Sequence, residues 1–131
     1  MQEFVLIVHR YLRFVILALG ILGILRTLVS LGTREAKFMS VDLLLSRVYT
    51  GALYLQLAVG LILLLVLLGS AQPVTWIHTL LMIPAVFIGH LSRRYRHWED
   101  RDRHTALLRI YAGSLGIIVI GLIVINQLRL I

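Results

Sequence analysis

The chain has no cysteine, which excludes disulfides, thioether-attached haem, iron–sulfur clusters and thiolate metal sites. Acidic residues are scarce, with six Asp and Glu against thirteen Lys and Arg. Glu35 and Asp42 read as lying outside the hydrophobic runs, so a carboxylate proton relay lacks its parts. There is no Gly-rich phosphate loop, no HExxH and no serine with a base at a useful spacing, which removes hydrolase and nucleotide-driven chemistry. The start of the chain has no basic stretch ahead of a short apolar one and no small-residue cleavage site. Its first apolar run is therefore expected to be a retained helix and not a cleaved signal. Proline occurs only as Pro73 and Pro84; Pro84, inside the third run, removes one backbone hydrogen bond, predicting a kink that widens the structure around Met82 to Ala85.

Hydrophobicity is what the chain has in abundance. At 60% hydrophobic residues and a mean hydropathy of +0.94, 14.9 kDa of polypeptide cannot present a polar enough surface to be a soluble domain. Its 131 residues accommodate four spans of roughly 20 residues across a ~30 Å hydrocarbon core, with short loops and no extramembrane domain. The runs fall at about 4–31, 48–68, 74–91 and 106–125. The fold expected is all-α, a single integral-membrane domain over residues 1–131, and short connections predict an up-down-up-down four-helix bundle.

The net charge of +7 would suggest nucleic acid in a soluble chain; in a membrane chain it sets topology, and no nucleic-acid partner is expected. Arg26, Arg34, Lys37, Arg47, Arg93, Arg94, Arg96, Arg101, Arg103 and Arg109 fall on one side, and only Arg10, Arg13 and Arg129 on the other. The positive-inside rule then puts both basic loops in the cytoplasm and both termini, with the turn at Gln72, outside. The 93–103 segment also carries Glu99, Asp100 and Asp102, and reads as a solvated loop meeting anionic lipid.

At about 100° per residue, His9, Arg13, Ile16, Gly20 and Thr27 share one face of the first span, and His78, Met82, Ala85, Gly89 and Ser92 one face of the third. Tyr49, Gln56, Gly60 and Leu63 do so on the second, and Arg109, Gly113, Gly116, Ile120 and Gln127 on the fourth. Small residues on such stripes allow close helix packing, and glycines would also make room for a flat macrocycle. Gln56, the one strongly polar residue of its run, should face protein.

Ionisable residues within a span are costly and mark function. His9 and His78 each lie about five residues inside the outer end of their spans, and two neutral imidazoles at one depth suit axial ligation of a haem iron. Arg10 and Arg13 would neutralise the propionates, with Asn126 or Gln127 donating hydrogen bonds. A guanidinium beneath the outer interface calls for an anion, which a propionate would supply. The alternatives are that both histidines reach headgroups while the arginines snorkel, or that another ligand such as a quinone binds there. His90 lies off the shared face without a histidine at its depth on another span, and His97 and His104 are expected to be solvated in the charged loop.

The stretches His9-Arg10-Tyr11-Leu12-Arg13, Leu55-Gln56-Leu57-Ala58-Val59-Gly60 and His78-Thr79-Leu80-Leu81-Met82 resemble the HxxxR, LQxxxG and HxxxM elements of small four-span bacterial membrane proteins of cytochrome b-like type. The resemblance covers three spans of four. It implies a four-helix membrane bundle in a bacterial inner membrane, with His9, Arg13, Gln56, Gly60, His78 and Met82 around a haem b. Pro84 and the long basic third loop depart from that pattern. The expectation is a one-haem electron-transfer subunit near the outer face. One haem at one depth cannot carry electrons across the bilayer alone, so a redox partner or larger complex is expected, and an enzyme with its own turnover is less favoured. The rival is a non-redox accessory subunit packed against a larger complex.

Overall fold

A computed structural model describes residues 2–66, 68–69 and 73–130, and side chains within these except at 2, 73, 74 and 127–130. The expected turn at Gln72 and the side chains of Gln127 and Arg129 lie outside the described residues. Four long helices make up the structure: α1 (Gln2–Leu31), α2 (Ser40–Val66), α3 (Pro73–His90) and α4 (Asp100–Leu130), with a 3-10 turn over Leu91–Tyr95 after α3. There is no strand among the described residues. All four helices are long and apolar enough to cross a membrane. Their outward faces carry large apolar side chains such as Phe4, Leu65, Leu80 and Phe87, a surface that water would penalise and lipid would not. The chain reads as a multi-pass membrane protein.

The helices are arranged in a ring. α1 packs on α2 and α4, and α3 packs on α4 and α2, so α1 and α3 face each other across the middle. Each of the four seams has a glycine that a neighbouring side chain occupies: Gly60 by His9, Gly89 by Leu53, Gly121 by Met82, and Gly20 by Leu115, with Tyr111 over Gly23 one turn further along α1. Lipid provides no hydrophobic drive between helices, so this close seating supplies the dispersion contacts that join them. Ile16, Tyr49, Leu53, Ala85, Leu107, Ile110, Tyr111 and Ile118 form the buried core.

Three expectations are corrected. α2 begins at Ser40 and α4 at Asp100, well ahead of positions 48 and 106. Charge near these starts is absorbed by pairing, as Asp42 is 3% exposed and His104 fully buried, so polarity there does not end a helix. The inward face of α4 is likewise not the Arg109, Gly113, Gly116, Ile120 stripe. Arg109, Gly116 and Ile120 point outward, while His104, Leu107, Tyr111, Ser114, Leu115 and Ile118 point in. Lastly, α3 continues as helix through Pro84 without opening the interior, since Ala85 is 1% exposed and the Met82 methyl group sits against Gly121. The first three stripes do face inward; Ile16, Gly20, Thr27, Tyr49, Ala85 and Gly89 are all buried on them.

Candidate functional site

The interior holds two polar clusters about 25 Å apart along α1, at 1.5 Å of rise per residue between His9 and Arg26. The first is the expected one. His9 on α1 and His78 on α3 meet across the bundle with ring centroids 6.2 Å apart and planes at 82°. A separation of this size is ordinary for edge-to-face ring packing and also leaves room for two imidazoles to share a metal ion bonded at about 2 Å. The Gln56 amide Nε2 donates to the His9 carbonyl oxygen at 3.0 Å and lies 3.5 Å from His9 Nε2. Gly60, one helical turn along α2, leaves the space that the His9 ring fills, where an added Cβ would stand 3.3 Å from His9 Cε1. His9 Nδ1 and Gln56 Oε1 are buried with no hydrogen-bond partner among the described residues. Buried polar atoms are rarely left this way, so both mark a place where a ligand or water would be accommodated.

The remaining expected residues are distributed around this pair. Arg13 is half-buried one turn past His9, its guanidinium 5.0 Å from the centre of the Phe14 ring. Arg10 and Asn126 are exposed. Met82 follows His78 by one turn but is directed into the α3–α4 seam against Gly121. His90 is exposed on α3, where Tyr54 Oη of α2 hydrogen-bonds its Nδ1. His97 is exposed, as expected for a loop histidine.

The second cluster was not anticipated. Asp42 accepts from Arg26 Nε at 2.8 Å on one carboxylate oxygen and from the Met39 backbone N–H at 2.9 Å on the other. The latter contact is the carboxylate half of a capping box, with Asp42 three residues beyond Met39, and it sets the start of α2. His104, expected in solvent, is fully buried, with Nε2 donating to the Lys37 carbonyl at 3.2 Å and standing 3.9 Å from Asp42 Oδ2. Neighbouring α4 residues bind the same loop. Arg101 donates to the Leu31, Thr33 and Arg34 carbonyls at 3.3, 3.1 and 3.4 Å, satisfying the last carbonyl of α1 and two of the loop after it, and Arg103 stacks 3.8 Å over Phe38. Within this loop Ala36 is buried with a φ of 48°, a left-handed conformation that costs a non-glycine residue roughly 1 kcal/mol or more. Its N–H donates to Thr33 Oγ1 at 3.1 Å.

One turn or more further into the bundle, Tyr49 Oη and Ser114 Oγ lie 2.6 Å apart, and Ser114 Oγ donates to the Ile110 carbonyl at 2.7 Å. Tyr49 is then the donor to Ser114. No three His, Asp or Glu side chains among the described residues come together as a metal site. The signal that could have found the second cluster is the Asp three residues after the loop residue Met39, which reads as a helix start rather than a loop charge. No protein family, curated protein or solved structure matches this chain.

Proposed function

We propose that this chain is a membrane b-type cytochrome-like electron-transfer subunit, binding one haem between His9 and His78 and working within a larger respiratory or photosynthetic assembly or beside another redox partner. The observation that carries the reading is the His9–His78 pair itself: two imidazoles from helices that face each other across the bundle, with centroids 6.2 Å apart, a separation compatible with a shared metal ion. The orphaned Nδ1 of His9 adds to it. Haem would supply one-electron redox chemistry. The chain's own residues would do the rest. His9 and His78 would hold the haem iron, and Gln56 fixes the backbone that carries His9. Arg13, one turn along the same face, offers positive charge to a propionate.

An up-down-up-down course accords with the contacts, since the beginnings of α1 and α3 meet at the histidine pair while the end of α1 meets the beginnings of α2 and α4 at Asp42. With the ten-to-three division of basic residues, both termini would be outside and the haem near the outer face of a bacterial inner membrane. A quinone in the same place would use His9 and Gln56 as hydrogen-bond partners. The non-redox accessory reading has an observation of its own, because the glycines at all four seams are filled by protein side chains.

A reduced-minus-oxidised visible spectrum of the purified protein decides among these. A six-coordinate low-spin haem is expected, lost in His9→Ala and in His78→Ala and retained in His90→Ala. Low-spin haem surviving in both single variants overturns the ligation. A folded preparation that binds no haem overturns the cytochrome reading and favours the accessory subunit, with quinone binding the other reading left.

A further inference from the structure

The outward side of α4 contains an arginine, Arg109, that is exposed. Arg109 stands about 13 Å along α4 from Asp100, inside the segment apolar enough to cross a membrane. It is exposed and has no hydrogen bond or ion pair among the described residues. A guanidinium at such a depth needs an anion. It lines one wall of a recess of about 370 Å³ between α4 and the 3-10 turn, together with Tyr95, Trp98, Asp102 and Thr105. Asp102, Thr105 and Arg109 follow the three-and-four spacing that puts them on one face of α4. Tyr95 and Trp98 meet edge to face with centroids 4.5 Å apart. The recess therefore has a cation at its deeper end, a carboxylate about 10 Å nearer the loop, and aromatic faces beside them.

We infer that this recess holds the headgroup of a phosphatidylethanolamine lipid, phosphate on Arg109 and ammonium toward Asp102 and the aromatic pair. The order of charges decides the ligand class. In a bilayer lipid the phosphate lies deeper than the amine, and Arg109 lies deeper than Asp102. A carboxylate in the recess opposes an acidic headgroup but attracts a primary ammonium, which the Tyr95 and Trp98 rings also favour. Beyond Arg109 the same stripe continues through Gly113 and Gly116, where an added Cβ on Gly116 would meet nothing within 4 Å. Gly113 is half-buried, with an added Cβ 3.7 Å from Ile88 of α3, so the open space in line with the headgroup lies over Gly116, where it leaves a shallow channel beside α3 suited to an acyl chain.

The test is lipid retention by the full-length protein in nanodiscs of equal phosphatidylethanolamine, phosphatidylglycerol and phosphatidylcholine, read by native mass spectrometry after release. Wild-type protein should retain phosphatidylethanolamine in preference to the other two. Arg109→Gln should lower that retention about tenfold or more, as expected for losing a charge-assisted hydrogen bond. Asp102→Asn should still hold phospholipid but lose the preference over phosphatidylglycerol. Gly116→Leu, on the outward face and remote from the core, should weaken retention by blocking the channel, and checks the site independently should Arg109→Gln fail to fold. No headgroup preference in the wild type overturns the proposal and leaves Arg109 snorkelling to bulk headgroups. A preference for phosphatidylglycerol, or displacement of the lipid by inorganic phosphate, overturns it in favour of a simple anion patch.

Discussion

Asp42 at the loop end gives both carboxylate oxygens to protein donors, Arg26 on one and the Met39 N–H on the other, while His9 Nδ1 and Gln56 Oε1 at the histidine end are equally cut off from solvent with no such donor or acceptor among the described residues. Each cluster holds a histidine, His104 fully buried and His9 half-buried, and the loop end has the more complete structural account. His104 fastens the 33–39 loop to α4, and even there its Nδ1 is left over. The loop-end contacts each close a defined gap: a helix start, the carbonyl end of α1, an aromatic face. At the histidine end the His9 ring fills the space over Gly60 and Gln56 ties α2 to α1 through the His9 carbonyl, yet His9 Nδ1 and Gln56 Oε1 are left over. Burial of a polar group is thus weak evidence for a ligand when its partners are at hand, and stronger evidence when they are missing.

The sharpest way to break this contrast is Asp42→Ala. It removes a nearly fully buried carboxylate, leaves Arg26 without its partner, and strips the Met39 N–H of its cap. A loss of about 3 kcal/mol is expected, discounted from a fully buried pair because the Arg26 side chain is 35% exposed. The midpoint of thermal unfolding in detergent measures it. Gln56→Leu at the other end removes one hydrogen bond, for about 1 kcal/mol. Equal losses from the two variants would mean that the histidine end is as structural as the loop end.

Glycine substitutions sharpen the comparison further. Gly23→Ala drives a Cβ into the Tyr111 ring, which is wedged in the core and has nowhere to go, so a loss of about 1–3 kcal/mol is expected. Gly60→Ala meets only the edge of the half-buried His9 ring. That ring can shift by a few tenths of an ångström, and the loss should stay below about 1 kcal/mol. A Gly60→Ala protein as unstable as Gly23→Ala would show that His9 is held as rigidly as a core tyrosine.

Much of the fold was legible from residue type and spacing. The inward faces of α1, α2 and α3 could be read because each carries a landmark polar residue, His9, Gln56 or His78, whose cost in lipid requires it to face protein. α4 gave no such help. It is apolar on every side over most of its length, so periodicity cannot pick a face; of the landmarks chosen, Arg109 and Gly116 lie outward and Gly113 is half-buried against Ile88. The true landmark was His104, which resembled a loop residue because Arg101, Asp102 and Arg103 run directly into it. The beginnings of α2 and α4 were misplaced for the same reason: a charge paired through the fold looks, in one dimension, like a charge in water. The His9–Gln56 contact joins residues 47 apart and depends on how α1 and α2 are rotated against each other, which spacing within one helix does not contain.

The smallest effect concerns Arg13, and it separates a charge that serves a haem from one that serves the interface. Arg13 is half-buried one turn from His9 on the same face of α1. If the chain holds the proposed haem with a propionate near this guanidinium, replacing Arg13 with Gln would keep both histidines and remove one nearby positive charge. The reduced haem carries one more electron than the oxidised form, so losing that charge destabilises the reduced state more and the midpoint potential falls. At an effective dielectric near 20 the change is on the order of 1 kcal/mol, or tens of millivolts for one electron. The low-spin spectrum should be unchanged, since neither ligand is touched. A potentiometric titration of Arg13→Gln that returns the wild-type midpoint would make Arg13 an interfacial residue, like the exposed Arg10, and would leave the ligand pair standing without the propionate orientation proposed for it.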